Sequence, residues 1–150
     1  PWNTFLTGPK RTSLAPEELI LGMRWRPPRG PGSFSKVGPR NAMVIAVCGV
    51  CVQFDEDARG VRVALGSVGP TILRAPEAES FAAGAIGEAG AWDDPARLVS
   101  DEVVDRFGEL TSEAAQPIDD LRGTAAYRRH AVGVLARRAL RWALADRGAR

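Results

Sequence analysis

The sequence contains few of the residues that most often carry chemistry. In 150 residues it has two cysteines, one histidine, and two lysines beside 18 arginines. Two cysteines cannot build a disulfide framework, so we expect a reducing compartment and a cytoplasmic protein. A Ser/His/Asp or Cys/His site would have to use His130. Because His130 falls on the polar flank of a predicted helix with Arg137 and Arg141, we expect a solvated surface histidine.

Long apolar runs and a charge excess of one sign are also missing. The longest apolar stretch, residues 42–52, contains a glycine and is too short to cross a bilayer. The first ten residues, PWNTFLTGPK, lack the apolar core of a signal peptide. The net charge is only +2, and acids are interspersed among the arginines. We therefore expect neither membrane insertion nor nucleic-acid binding.

Period-two patterns predict strands in the first half of the chain. Residues 19–26 alternate and are ended by Pro27-Pro28, which predicts a strand. Residues 33–37 predict a short strand, and 43–54 predict either a strand buried on both faces or a short helix followed by a strand. The acidic turn 55–60 and the alternating residues 61–65 then complete an antiparallel hairpin. Residues 71–73 are a further candidate strand.

The second half of the chain is helical in pattern. We predict helices from Pro76 to about Gly84, from Asp93 or Asp94 to about residue 110, and over 124–146. In the last helix, Tyr127, Leu135 and Trp142 are predicted to face the core. Strands followed by helices define an α+β fold, an antiparallel β-sheet with helices packed on one face.

Two short motifs resemble chemical sites but favour structural roles. CGVC, residues 48–51, lies inside an apolar run, where positions three apart point to opposite faces of a strand. We therefore interpret Cys48 and Cys51 as free core thiols and assign no metal site. Asp119 and Asp120 resemble a pair of acids, but Asp120 is also placed to cap the last helix or to pair with Arg122 or Arg128. From the residues alone, no complete catalytic set emerges.

Four segments occur in the order and spacing of a known family. They are PEELILGMRWRP, FSKVGPRNAMVIA, VRVALGSVGPTILRAPEAE and PIDDLRGTAAYRRHAVGVLARRAL. Together they resemble the C-terminal portion of the FAD-binding medium subunit of molybdenum hydroxylases, the family of xanthine dehydrogenase and aerobic carbon monoxide dehydrogenase. By this resemblance, residues 1–40 are the end of the FAD-binding domain with a connecting segment. Residues 41–150 are the separate C-terminal α+β domain.

The resemblance implies an oxidoreductase subunit in an electron-transfer chain. Substrate is hydroxylated at molybdopterin on a large subunit, and electrons pass through two [2Fe–2S] clusters on a small subunit. They reach FAD on the medium subunit and leave to NAD or another acceptor. By this resemblance, the chain alone is not a self-sufficient enzyme.

The same resemblance singles out cofactor-binding residues. A lysine at the position of Lys36 lies beside the isoalloxazine ring in this family, where a fixed cation favours the reduced flavin. Ile20 corresponds to an apolar residue that touches the ring, and its neighbour Gly22 leaves room for a flat ligand. Arg40 corresponds to a basic residue that pairs with an acid or orients the loop.

One departure from the family keeps other interpretations open. The glycine-rich loops that hold the FAD pyrophosphate lie in the N-terminal half of such subunits, and nothing in this sequence corresponds to them. The chain is then a fragment, half of a split subunit, or a truncated relative without flavin. The alternative function is a flavin-free module that docks on a partner subunit or has been recruited to another small-molecule reaction.

Overall fold

The structure is a computed structural model that describes residues 1–149 of the chain. Its elements, in chain order, are α1 Trp2–Phe5, β1 Leu6–Gly8, β2 Arg11–Thr12, β3 Gly32–Val37, β4 Cys48–Asp55, β5 Gly60–Gly66, α2 Pro76–Glu88, α3 Asp101–Glu113 and α4 Ala125–Gly148. The strands β1 and β2 form a small hairpin of their own. The strands β3, β4 and β5 form the main sheet.

The main sheet is an antiparallel meander with β4 in the centre. The predicted hairpin is confirmed, because β4 pairs with β5 across the turn at 55–60. In that turn the carboxylate of Asp55 accepts a hydrogen bond from the backbone N–H of Ala58. Arg59 adopts a positive φ of 45° just before Gly60.

Three helices cover one face of this sheet. The helix α4 packs on β3 and β4, α2 packs on β5, and α3 packs against α2 and α4. On the covered face, Cys48, Val50, Val52 and Phe54 of β4 are fully buried. The opposite face has no helix over it in residues 1–149. The predicted α+β fold, a sheet with helices on one face, is confirmed.

The long helix α4 occupies the predicted range but buries only part of the predicted face. The hydroxyl of Thr124 caps it by accepting a hydrogen bond from the N–H of Tyr127. Leu135 is buried as predicted, but the prediction for Tyr127 and Trp142 is wrong, because they are 47% and 53% exposed. Apart from Arg128 and Arg147, the buried residues are mostly small: Ala131, Val132, Gly133, Leu135, Ala136, Ala139, Leu140 and Ala143. Small side chains let α4 lie close to the sheet and to α3, which leaves no room for aromatic rings.

Several predicted boundaries in the strands are wrong. Residues 19–26 form no strand, since no neighbouring strand in residues 1–149 pairs with them. The central strand starts at Cys48 rather than Met43, and Met43 lies in an exposed loop. Residues 71–73 contribute only an isolated bridge, Leu65 to Leu73.

Two predicted helix ends are also wrong. Gly84 does not stop α2, which continues to Glu88. The helix α3 begins at Asp101, where Ser100 provides the cap, and not at Asp93 or Asp94. The capping hydroxyl accepts from the N–H of Val103, whereas Asp94 accepts from the N–H of Ala96 in a turn that does not continue into a helix.

A buried arginine of α4 ties the helix to the sheet. Arg128 is 4% exposed, and its Nη1 donates to the carbonyl oxygens of Val47 and Ser67, at 2.8 and 2.7 Å. Its Nη2 donates to the carboxylate of Asp120. One guanidinium thus joins the start of β4, the end of β5 and the turn before α4. The predicted pairing of Asp120 with Arg122 or Arg128 is confirmed for both arginines. The alternative prediction, that Asp120 caps the last helix, is wrong because Thr124 provides that cap.

Alanine substitutions at two nearby residues of α4 should distinguish its buried face from its exposed face. Leu140→Ala should lower the free energy of unfolding by about 2–5 kcal/mol, because Leu140 is fully buried. Trp142→Ala should lower it by about 1 kcal/mol or less, because half of the ring is already in water. Urea denaturation of both variants measures the difference. Equal losses would show that the aromatic ring packs as tightly as the leucine.

The pH dependence of stability should report on Asp120. The N–H of Arg122 and then the guanidinium of Arg128 lower the pKa of this carboxyl in the folded state. Its contribution is therefore complete above the unfolded pKa of about 4 and is lost as the pH falls through the lower folded value. Asp120→Asn should flatten the acid limb of stability. Glu17→Gln, at an exposed glutamate outside the helices and strands, is the control for the loss of one carboxylate.

Candidate functional site around Lys36

The predicted flavin lysine lies on the uncovered face of the main sheet. Lys36 pairs with Gly49 of β4, and Gly49 pairs in turn with Gly66 of β5. The three residues form one row across the sheet. The ammonium of Lys36 donates a hydrogen bond to the carbonyl oxygen of Val44, at 2.9 Å. Lys36 therefore stands at one end of a row whose other two members have no side chain.

Apolar side chains border this glycine row, Gly49 and Gly66. A Cβ atom added to Gly49 would lie 3.5 Å from the ring of Phe34. One added to Gly66 would lie 3.9 Å from the Cδ1 of Ile72. Phe34 is 69% exposed and Ile72 is 47% exposed, while Gly49 itself is buried beside the ring of Phe34. The row is thus a shallow apolar ledge with a primary ammonium at its edge.

Two hydrogen bonds of Val47 fix the backbone next to Lys36. The N–H of Val47 donates to the carbonyl oxygen of Val37 at 2.7 Å, and the carbonyl of Val47 accepts from Arg128. These two bonds close the loop of residues 38–47 against the end of β3. Arg40, the basic residue of that loop, is exposed.

The other predicted flavin residue lies elsewhere. Ile20 is exposed and lines a groove of about 540 Å³ between the 20–25 segment and residues 1–13. Phe5, Met23 and Trp25 share that groove, and Lys36 does not line it. The structure therefore does not bring Ile20 and Lys36 into one site. An added Cβ at Gly22 meets nothing within 4 Å, so the space beside Ile20 is open.

The described residues fit one end of a flavin and not the other. The ledge and ammonium suit a flat, partly apolar ring system that carries negative charge at one edge. A pyrophosphate needs several convergent backbone N–H groups. The glycines with positive φ, Gly8, Gly30 and Gly90, lie far apart along residues 1–149 and make no such cradle.

The other residues considered as candidates for chemistry are the two cysteines, Asp119 and His130, and they form no joint site. Cys48 lies on the covered face and Cys51 on the uncovered one, so the sulfurs are on opposite faces as predicted, and both thiols are free. Cys48 is a core residue as predicted, but the same prediction for Cys51 is wrong, because Cys51 is only partly buried. Asp119 accepts a hydrogen bond from the N–H of Ala125 in the first turn of α4. His130 is exposed, as predicted, in a shallow groove between α3 and α4.

Residues 1–149 were also examined for metal-binding groups and for membrane-spanning helices. They contain no group of three or more His, Cys, Asp or Glu side chains placed to hold a metal ion. None of their helices is long and apolar enough to cross a membrane.

Comparison with known proteins identifies the family. The family model for the CO dehydrogenase flavoprotein C-terminal domain matches residues 33–143, and the chain belongs to that family. The resemblance inferred from the four segments is thereby confirmed. No curated protein matches the chain.

Solved structures share the fold. Quinoline 2-oxidoreductase from Pseudomonas putida 86 superposes with a TM-score of 0.75 at 20% identity, covering 97% of this chain and 47% of the other. Carbon monoxide dehydrogenase from Hydrogenophaga pseudoflava, lacking the Mo-pyranopterin moiety, gives 0.69 at 23% identity with the same coverage. Reconstituted CO dehydrogenase from Oligotropha carboxidovorans gives 0.58 at 23%, covering 76% and 36%. The chain spans about half the length, or less, of these solved chains.

Gly49 and Gly66 were not predicted from the sequence to be part of the site. A signal was present, because a glycine inside a strand often marks a close approach by a ligand or another backbone. Only the register of the sheet places both glycines beside Lys36, and register depends on pairing between distant residues.

The two thiols should react slowly and unequally. Burial raises the pKa of both Cys48 and Cys51, so neither forms much thiolate at neutral pH. Cys51, partly exposed on the open face, should be alkylated by iodoacetamide before Cys48. Mass spectrometry of peptides after timed labelling measures the order. Faster labelling of Cys48 would mean that the covered face opens readily.

Proposed function

We propose that this chain is the C-terminal part of the FAD-binding subunit of a molybdenum-dependent hydroxylase complex. Family membership over residues 33–143 supports an oxidoreductase flavoprotein, and two matched structures are a quinoline oxidoreductase and a CO dehydrogenase. In this proposal electrons arrive from [2Fe–2S] clusters on a small subunit. They originate at molybdopterin on a large subunit and leave through FAD to NAD or another acceptor.

The observation that carries the proposal is the placement of Lys36. It lies inside the matched range, at the edge of the glycine row and on the face that no helix covers. Bound flavin supplies the electron transfer between the iron–sulfur clusters and the acceptor. The ammonium of Lys36 would neutralise charge at the ring edge, and Phe34 would provide an apolar contact beside it. Ile20 would contact the ring from the preceding segment once the rest of the subunit is present.

The pyrophosphate of FAD would be held by the other half of the subunit. The 150 residues supply the ring end alone, so FAD binding is shared between two halves in this proposal. The complex would assemble from the flavoprotein halves, the small [2Fe–2S] subunit and the large molybdopterin subunit, in the cytoplasm.

A second candidate function rests on the missing pyrophosphate cradle. A flavin-free relative would keep the same sheet and helices and would use the open face to dock on a partner subunit. The flavin absorbance of the purified complex separates the two candidates, since only the first requires bound FAD.

Replacing the ammonium tests the role of Lys36 directly. Lys36→Met in the complete complex keeps most of the side-chain stem and removes the charge. A unit charge about 4 Å away contributes on the order of 4 kcal/mol at an effective dielectric of 20, before desolvation and screening. With a net loss of about 1–2 kcal/mol, the two-electron potential of the flavin should fall by roughly 20–45 mV. Redox titration of the flavin measures the shift.

The chain provides a matched control for this experiment. Lys10, the other lysine, lies in the turn between β1 and β2 and away from the main sheet. Lys10→Met should leave the flavin potential unchanged. An unaltered potential in Lys36→Met, with FAD still bound, would show that Lys36 is a loop-facing lysine held by Val44.

A further inference from the structure

One buried guanidinium holds all three strands of the main sheet at the same end. The Nη1 of Arg128 donates to the carbonyl oxygens of Val47 and Ser67. Val47 immediately precedes β4, and Ser67 immediately follows β5. The N–H of Val47 donates in turn to the carbonyl oxygen of Val37, the last residue of β3. A single side chain of α4 thus fixes one end of each strand.

The same end of the sheet carries the candidate flavin residues. Lys36 and Gly66 each lie one residue from a carbonyl group of this network, and Gly49 lies two residues from another. These three residues form the row on the uncovered face, whereas α4 packs on the covered face. Because Arg128 is buried on the helix side, it acts on the row through the backbone and not by direct contact.

The backbone of Ser67 depends on the contact that Arg128 provides. Ser67 has a φ of 62°, in the left-handed region that residues with a side chain seldom adopt. Such a conformation persists only where the surrounding structure holds it. The carbonyl oxygen of Ser67 lies 2.7 Å from the Nη1 of Arg128, and the next residue, Val68, is fully buried. Since Gly66 directly precedes this turn, the guanidinium also fixes one end of the glycine row.

We propose that Arg128 is a positioning residue for the candidate flavin site and that it fixes where the ammonium of Lys36 meets the ring. The inference rests on the proposed function. The side chain of Lys36 is flexible, so the position of its backbone limits the space that the ammonium can reach. The attraction between two charges weakens as their separation grows. A displaced ammonium would therefore lose part of its effect on the reduced ring.

Arg147 provides a matched comparison at the other end of α4. Its Nη1 and Nη2 donate to the carbonyl oxygens of Ala91 and Trp92, and its Nε donates to the carboxylate of Glu56. Arg147 and Arg128 are both buried, and each binds two backbone carbonyls and one carboxylate. The partners of Arg147 lie in the α2–α3 loop and the β4–β5 turn, away from the glycine row.

Hydrogen–deuterium exchange of the 150-residue chain tests the positioning without any flavin. The N–H groups of Val47 and Phe54 bond the backbone at the two opposite ends of β3. Arg128→Lys keeps the charge but loses the planar fork of donors. It should raise the exchange rate of Val47 relative to that of Phe54 about tenfold or more, because the opening is local. Arg147→Lys, the matched control, should not raise this ratio.

Two results of the exchange experiment would overturn the proposal. They are no rise in Arg128→Lys and an equal rise in both variants, since the guanidinium would then stabilise the domain without placing this backbone. If Arg128→Lys fails to fold, Asp120→Asn supplies the same comparison. It keeps an oxygen that can accept from Nη2 but removes the charge, so it should raise the Val47 ratio by a smaller factor. No rise in this folded variant would also contradict the proposal.

Redox titration of the complete complex tests the effect on the flavin. Arg128→Lys should lower the flavin potential in the same direction as Lys36→Met, although it removes no charge. Arg147→Lys should leave the potential unchanged. In the double variant of Arg128→Lys with Lys36→Met, the fall should equal that of Lys36→Met alone, because the position of the lysine no longer matters once its charge is gone. Additive falls would contradict an effect that passes through Lys36.

Failure of the proposed function is recognised separately. The absorbance of the wild-type complex measures its FAD content. A wild-type complex without FAD would contradict the proposed function, and the exchange ratio would then decide alone whether Arg128 fixes the backbone beside Lys36. A complex with FAD whose potential is unchanged in Arg128→Lys but lower in Lys36→Met would retain the proposed function and overturn the positioning role.

Discussion

A single buried guanidinium organises the end of the domain where the candidate site lies. Arg128 donates to the carbonyl oxygens of Val47 and Ser67 and pairs with Asp120. Burying an arginine is costly unless its charge and donors are matched, so removal of Asp120 would leave the buried guanidinium without its carboxylate. Because Val47 also donates to the carbonyl of Val37, the residue after Lys36, the backbone position of the lysine depends on this helix residue across the sheet.

The parts of the fold that were predictable have local causes. The range of α4 follows from its cap at Thr124 and from helix-forming residues, since a helix satisfies its hydrogen bonds within itself. The β4–β5 hairpin follows from an apolar run and an alternating segment on the two sides of an acidic turn with glycine. The buried face of α4 was not predictable from its aromatics. Tyr127 and Trp142 are excluded by how closely the alanines bring α4 to the sheet and α3, and that distance is a tertiary property.

The candidate site likewise has one part that was predictable from the sequence and one part that was not. Lys36 was found through family resemblance, and its neighbours Gly49 and Gly66 were found only through the register of three strands. The ledge exists because two glycines from separate strands align with one lysine. A register shift of one residue would turn Lys36 to the helix-covered face, where an ammonium would be buried among valines and Phe54. Burial of the apolar face of β4 fixes the register of the strands, and the register places the ammonium of Lys36 on the uncovered face.

The contrast between α4 and residues 19–26 explains why one prediction succeeded and the other did not. Both have clear periodicity in the sequence, but a strand finds its hydrogen-bond partners only in another strand. Within residues 1–149 no strand pairs with residues 19–26, and their apolar side chains remain exposed at an energetic cost. Period-two alternation therefore predicts a strand correctly only where a second strand is available to pair with it.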